Sequence, residues 1–306
     1  MAISMVDLLL IYPYFNDNSS IFKFPPLGLG YIASYAMHHG YKAEIIDCTF
    51  LTEEEAITRA KKLKPKVVGI YSMLSMKGSA LRIARRLKDH CDLLIAGGPL
   101  PTTYPEQFLT DFDLVVIGEG EKTVLEILDG LGTKSLSSIR GIAYKKGDGE
   151  KASCKEGMVI TPPREFIKDL DSLPFPAREL YDHEAYKRYF LRHHGYTITS
   201  MITSRGCPFD CEFCSRPVFG SFYRGRSPKN IVDEIENIIS YGYDRVWLAD
   251  DIFPINKKVA FGVCNEIVRR GLKLEWECLC RADLIDREMA MKMKLSGCFR
   301  VFFGLE

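Results

Sequence analysis

The sequence is poor in tryptophan and histidine, with 2 and 6 respectively in 306 residues, and it has no long apolar run. No window approaches the ~18 apolar residues that a membrane-spanning helix needs, so no membrane partner is expected. The start of the chain, through Tyr12, has neither a basic opening nor a small-residue cleavage site. It runs straight into a strand-like apolar pattern, so no signal peptide is read and the cytoplasm is the expected location. Neither sign of charge is in excess: 41 basic and 40 acidic residues leave a net charge of +1. That balance offers no electrostatic footprint for a nucleic acid or an anionic membrane surface. A G-x-G-x-x-G after the first strand and a glycine-rich loop ending in Lys-Ser/Thr are both missing, which argues against dinucleotide and phosphate-loop sites. There is no short-period repeat and no low-complexity tract.

The 46% hydrophobic and 26% charged content is ordinary for a well-packed protein, and the length allows two domains. Short apolar runs at 6–11, 43–47, 66–71, 93–96 and 114–117 alternate with helical patterns at 26–39, 52–63, 77–90 and 121–129. Gly40 is a natural stop for the first helix, and Thr52 with Glu55 forms a capping box for the second. This alternation predicts parallel βαβ units in an α/β, doubly wound sheet covered on both faces. Residues 142–146 and 157–160, joined through Gly147-Asp148-Gly149, predict a β-hairpin. Prolines 162, 163, 174 and 176 mark a linker that cannot be helical throughout. A second α/β run follows, with strands at 198–203, 245–249, 274–280 and 299–304 and helices at 228–241, 256–270 and 286–296. The expected division is a Rossmann-type domain over 1–135, a hairpin and Pro-rich linker over 136–195, and a partial β/α barrel over 196–306. A closed eight-fold barrel takes ~250 residues, so the barrel is expected to break off after its fourth strand and leave an apolar edge for something else to cover.

The ten cysteines are unevenly spread. Cys264, Cys278, Cys280 and Cys298 come late and read as small buried hydrophobes, Cys278 and Cys280 sharing one strand face. Three others sit together in Ser204-Arg205-Gly206-Cys207-Pro208-Phe209-Asp210-Cys211-Glu212-Phe213-Cys214, a C-x3-C-x2-C spacing in the loop that leaves the first strand of the second run. Structural zinc wants four ligands, usually as two separated pairs. A [4Fe–4S] cluster can take three thiolates and leave one iron open to a substrate. The other reading of these thiols is a zinc or labile iron–sulfur site in a non-catalytic, redox-sensing protein.

With Phe213 just before the third cysteine, this segment resembles the radical S-adenosylmethionine (SAM) superfamily. The resemblance implies that Cys207, Cys211 and Cys214 hold a [4Fe–4S] cluster whose open iron binds SAM. Reductive cleavage would then give a 5′-deoxyadenosyl radical, with a flavodoxin or ferredoxin as external electron donor. Trp247 to Phe253 resembles the family's second-strand segment, which contacts the SAM amino group. Asp250 or Asp251 would accept from that ammonium, or one of them caps a helix ahead of Pro254. Arg281 would hold the SAM carboxylate, or is simply a surface arginine. Glu306 resembles the acid of the family's G-x-E segment, which contacts the ribose.

The order of the pieces resembles the subclass that carries a cobalamin-binding domain ahead of the barrel. The segments in question are Pro-Pro-Leu-Gly-Leu at 25–29, Ala-Gly-Gly-Pro at 96–99 and Val-Ile-Gly-Glu-Gly-Glu at 116–121. The resemblance implies cobalamin contacts from Gly28, Ser72, Leu74, Gly97, Gly98, Gly118 and Glu119, at the carboxyl rim where doubly wound sheets bind ligands. The D-x-H-x-x-G motif that supplies a cobalt-ligating imidazole is missing; His38, His39 and His90 stand in the wrong context. Base-off cobalamin without a protein imidazole fits that departure, as does a sheet that only scaffolds. His183, His193 and His194 read as surface residues. The implied function is methylation, or a radical rearrangement or cyclisation, of a small-molecule or other substrate that the sequence does not identify.

Overall fold

The computed structural model describes residues 5–14, 23–146 and 157–304. The turn expected at 147–149 and Glu306 lie outside the described residues. The chain divides into two compact units.

The first unit is built on a seven-stranded sheet. Its elements are β1 (Leu8–Tyr12), α1 (Leu27–His38), β2 (Ala43–Asp47), α2 (Glu53–Leu63), β3 (Val67–Tyr71), α3 (Lys77–Leu87), β4 (Leu93–Gly97), the short α4 (Pro99–Thr103), β5 (Leu114–Val116), α5 (Glu121–Gly130), β6 (Ile142–Lys145) and β7 (Met158–Ile160). The strand order is β2-β1-β3-β4-β5-β6-β7, parallel from β2 to β5. The capping box forms as expected: Thr52 accepts from the Glu55 amide, and the Glu55 carboxylate accepts from the Thr52 amide at 2.8 Å.

Alternate residues of β1 serve different cores, so the sheet is buried on both faces. Leu9 and Ile11 pack with Ala56 and Ile57 of α2 and Ile83 and Leu87 of α3. Leu8 and Leu10 pack with Leu29 and Ala33 of α1 and Val124 and Ile127 of α5. One departure from the sequence reading concerns the hairpin. It is not a free-standing piece of linker: β6 pairs antiparallel with β5, placing Leu114 opposite Tyr144, and β7 pairs with β6. The sheet is therefore mixed. The cause is burial on both faces of the ribbon, with Ala143 and Met158 joining one core and Ile142, Tyr144 and Val159 the other.

The second unit holds α6 (His183–His194), β8 (Ile198–Met201), β9 (Ser204–Arg205), β10 (Arg224–Gly225), α7 (Pro228–Ser240), β11 (Arg245–Leu248), α8 (Lys257–Arg270), β12 (Glu275–Cys280), α9 (Arg287–Leu295) and β13 (Cys298–Phe303). Strands β8, β11, β12 and β13 form a parallel sheet in sequential order, while β9 and β10 make a small antiparallel ribbon. On one face, Val246, Leu248, Trp276 and Cys278 pack under α7, α8 and α9. On the other, Ser200, Trp247, Glu277 and Arg300 share one register row across all four strands. Helix α6 was expected as linker. It starts where Asp182 accepts from the Ala185 amide and stops at Gly195 with φ 78°. Among the described residues no helix is long and apolar enough to cross a membrane.

Two glycines of α1 make opposite predictions. A Cβ at Gly30 would overlap the Tyr181 hydroxyl and lie 2.9 Å from Pro176 Cβ, whereas one at Gly28 meets nothing within 4 Å. Gly30→Ala is expected to cost roughly 1–3 kcal/mol by overpacking. Gly28→Ala is expected to be neutral or to stabilise by up to about 1 kcal/mol through helix propensity. Urea unfolding midpoints of the two variants check this, and equal shifts would contradict it.

Candidate functional site

The cysteine loop leaves the carboxyl end of β8, and its root is fixed by a carboxylate from the neighbouring strand. Asp250 follows β11 and is buried, 2% exposed. Its Oδ1 accepts from the Thr203 amide at 2.5 Å and the Ser204 amide at 3.4 Å. Its Oδ2 accepts from the Ser204 hydroxyl at 2.8 Å and from the Thr203 hydroxyl. Burial pushes the Asp250 carboxyl up to about 6, against the pull of those four donors. The structure thus gives Asp250 an internal task, tying β11 to the exit of β8. This departs from the expectation of a carboxylate free for a ligand ammonium.

Beyond the root, the chain turns through Gly206 at φ 81°, where a Cβ would overlap the Phe222 carbonyl and sit 3.1 Å from that of Phe219. Only glycine takes that conformation and that close approach without strain. The loop returns along β10, and Arg226 anchors its far end. Its amide donates to the Thr203 carbonyl at 2.9 Å, its Nη1 donates to the Ile202 carbonyl at 2.7 Å, and its guanidinium pairs with buried Glu234 of α7.

Within this frame Cys207 is buried, Cys211 partly buried and Cys214 exposed; all three are free thiols. Burial is the largest influence on the Cys207 thiol and pushes it up. Among the described residues, no three His, Cys, Asp or Glu side chains are drawn up as a metal-ligand set. The fit to an iron–sulfur cluster lies in the chemistry of the donors: three soft thiols in one short loop.

The other expected positions divide. Arg281, after β12, lies 4.1 Å over the Phe209 ring and pairs with Asp283 at 3.1 Å, so the structure does bring it to the cysteine loop. Asp251 is exposed beside the buried Asp250, and Phe213 is 73% exposed. Cys278 and Cys280 are both buried, and Cys278 belongs to the core under the helices.

In the first unit, the carboxyl rim gathers several of the expected positions. The Ser72 amide donates to the Gly97 carbonyl at 2.8 Å. Gly98, at φ 106°, leaves no room for a Cβ, which would come 2.8 Å from the Ser72 carbonyl. The Thr102 amide donates to the Gly98 carbonyl at 3.1 Å, and the Thr102 hydroxyl accepts from the Gly118 amide, also at 3.1 Å. Leu74 is 78% exposed beside this group. Gly28 is exposed in the first turn of α1. Glu119 is turned inward, its carboxylate accepting from the Ile167 amide at 2.8 Å. Open glycine backbone at Gly97, where a Cβ would meet nothing within 4 Å, and exposed apolar side chains suit a large flat ligand such as cobalamin.

The sequence reading passed over Tyr12 as the partner of Tyr71. These end β1 and β3, the two strands at which the sheet order reverses, and their rings lie 5.4 Å apart. The repeated Ile-Tyr at 11–12 and 70–71 was the available signal. It also passed over Arg216, which the structure folds back onto the cysteine loop.

Comparison with known proteins adds the following. Residues 18–128 match the B12 binding domain family and residues 201–306 the Radical SAM superfamily. An uncharacterized methyltransferase of Pyrococcus horikoshii is 33% identical over 92% of this chain and 61% of its own length. The anaerobic magnesium-protoporphyrin IX monomethyl ester cyclase of Rubrivivax gelatinosus is 29% identical over 98% of this chain and 55% of its own. The solved structure of the radical SAM methyltransferase TsrM from Kitasatospora setae, with cobalamin and a [4Fe–4S] cluster bound, superposes with a TM-score of 0.79 at 19% identity. That alignment covers 99% of this chain and 59% of TsrM. This chain spans little more than half the length of these curated relatives.

The buried Asp250 carboxyl gives a pH signature. Its value of about 6 in the fold stands above the ordinary 3.8. The folded state therefore holds a proton that the unfolded chain has already lost between those values. The carboxyl's contribution to stability is largest below about pH 4 and is lost as pH rises through 6, by at most about 3 kcal/mol. Unfolding of the unmodified protein and Asp250→Asn, followed from pH 4 to 7, is expected to show their stability difference drifting in that direction. A difference independent of pH would rule the assignment out.

Proposed function

The chain belongs to the radical SAM superfamily, in the subclass with a B12-binding domain ahead of the barrel, and from that premise we propose that it is part of an enzyme that uses a [4Fe–4S] cluster, SAM and cobalamin to methylate, rearrange or cyclise a small molecule. The observation that carries this reading is the Cys207, Cys211, Cys214 triplet in the loop leaving the first strand of a parallel α/β sheet. The relatives named as a methyltransferase and a cyclase support both outcomes, and so neither is singled out. We read β8, β11, β12 and β13 as the opening β/α units of a radical SAM barrel, and residues 1–135, the larger part of the first unit, as the cobalamin-binding domain.

When bound, the cluster supplies the electron that splits SAM to a 5′-deoxyadenosyl radical, and cobalamin supplies a carrier for a methyl group. The chain's own residues bind and orient. Cys207, Cys211 and Cys214 hold the cluster. Asp250 fixes the root of their loop through Thr203 and Ser204. The exposed Asp251 would accept from an ammonium, and Arg281, which lies over Phe209, would turn its forked donors from Asp283 to a ligand carboxylate. Phe213 and Glu306 complete the SAM set by resemblance. Gly28, Ser72, Leu74, Gly97, Gly98, Gly118 and Glu119 are proposed for cobalamin, Glu119 by holding the 167 backbone and not by direct contact. The reading implies a reducing compartment, the cytoplasm, and a flavodoxin- or ferredoxin-type electron donor.

Anaerobic reconstitution of the full chain tests this. About four irons per chain and a broad absorbance near ~400 nm that dithionite bleaches are expected. Release of 5′-deoxyadenosine on reduction with SAM and retention of cobalamin in equilibrium dialysis are expected as well. Cys211→Ala is expected to lose the iron while keeping the cobalamin. One tightly held zinc and no iron would instead point to the non-catalytic metal-binding reading, and failure to retain cobalamin would remove that half of the proposal.

A further inference from the structure

Arg216 stands two residues beyond the third cysteine, and its side chain folds back onto the stretch from Cys207 to Asp210. Its Nη1 donates to the Cys207 carbonyl at 2.8 Å and to the Phe209 carbonyl, and its Nη2 pairs with the Asp210 carboxylate at 3.0 Å. The backbone completes a ring. The Cys207 amide donates to the Gly220 carbonyl at 3.3 Å, and the Gly220 amide donates to the Arg216 carbonyl at 3.2 Å. Cys207, Gly220 and Arg216 are thus linked in a closed circuit whose third side is the guanidinium. The Arg216 side chain is 18% exposed while that of Asp210 is 99% exposed, so the cation is held against the loop and its partner carboxylate faces solvent.

We propose that Arg216 is the positioning residue of the cysteine loop: its forked donors close the 207–216 segment into the form that receives a cluster, and its fixed charge offsets the negative charge that three thiolates bring. This rests on the cluster reading above. It goes beyond that reading by naming what shapes the loop, since Arg216 is not a ligand. A guanidinium donates two ways from one plane, toward two carbonyls and a carboxylate, which a lysine ammonium on a flexible stem does not reproduce. Hydrogen bonds from a charged donor are also the stronger kind. Charge and hydrogen bonding near a cluster are among the factors that set its reduction potential. Geometry and charge are therefore separable by substitution: Arg216→Lys keeps the charge and loses the fork, and Arg216→Gln loses the charge.

The test uses the full chain in two states. In the metal-free protein, hydrogen exchange resolved to single amides is expected to be at least about tenfold faster at Cys207 and Gly220 in both variants. In the reconstituted protein, a chelator is expected to strip iron several-fold faster from both variants. The midpoint potential, followed by electron paramagnetic resonance, is expected to fall in Arg216→Gln and to stay near the unmodified value in Arg216→Lys. Unchanged exchange at both amides overturns the loop-closing role whatever the iron does. Faster exchange with unchanged iron release and potential overturns the positioning of the cluster. A potential that falls equally in both variants overturns the charge effect. Absence of iron uptake by the unmodified chain defeats the cluster reading instead, and the metal-free exchange rates then decide the loop-closing role alone.

Discussion

The root of the cysteine loop in the second unit is held by one buried carboxylate. Asp250 receives two amides and two hydroxyls from Thr203 and Ser204. It thereby fixes the step from β8 to β9. A neutral side chain of the same shape would satisfy fewer of those donors, and each unmet buried donor is costly. Desolvation works in the opposite sense, which is why the carboxyl rises to about 6 rather than falling. The site therefore accepts an electrostatic penalty in exchange for a fixed loop origin three residues before the first cysteine.

The far end of the loop is held by the same kind of device. Arg226 pairs with Glu234, with both side chains almost fully buried, and also donates to the Ile202 backbone. A buried ion pair is weak evidence for stability, because desolvation offsets most of the attraction. Its value here is geometric: it fixes the start of α7 to the strand exit, so the loop's two ends are set about one buried frame. Between them Gly206 takes a turn closed to other residues. Asp250, Arg226 and Gly206 define the frame, and Arg216 shapes the segment inside it.

How much of this was legible in the sequence depends on the range of the interaction. The parallel strands were readable because their apolar runs are buried on both faces, as Leu8 through Ile11 are. The capping box was readable because its partners are three residues apart. The hairpin's strands were legible but not their docking on β5, since nothing local marks an edge strand as awaiting a partner. Helix α6 was passed over because its sequence, HEAYKRYFLRHH, has charged and aromatic residues where an apolar stripe would normally announce it. Its cap residues, Asp182 and Gly195, were the better signal. The cysteine spacing identified the loop, yet Asp250's task stayed hidden because its partners lie 46 and 47 residues away. A carboxylate at a strand's end reads equally as ligand or as tether until the fold supplies the donors.

The rim of the first unit shows how the same position can serve a different chemistry. Strands β1 and β3 flank the point where the strand order reverses, and both end in tyrosine. Burial raises both phenols, Tyr71 to about 12 and Tyr12 further, so each stays protonated at neutral pH. A phenol ligates a metal ion as the phenolate, and these two are held away from that form. With no imidazole from a D-x-H-x-x-G motif in the sequence, the rim presents neutral aromatic rings, open glycine backbone and the exposed Leu74. These elements offer apolar contact and backbone donors. For the cobalamin proposed there, Gly97 and Leu74 would meet it through open backbone and apolar contact.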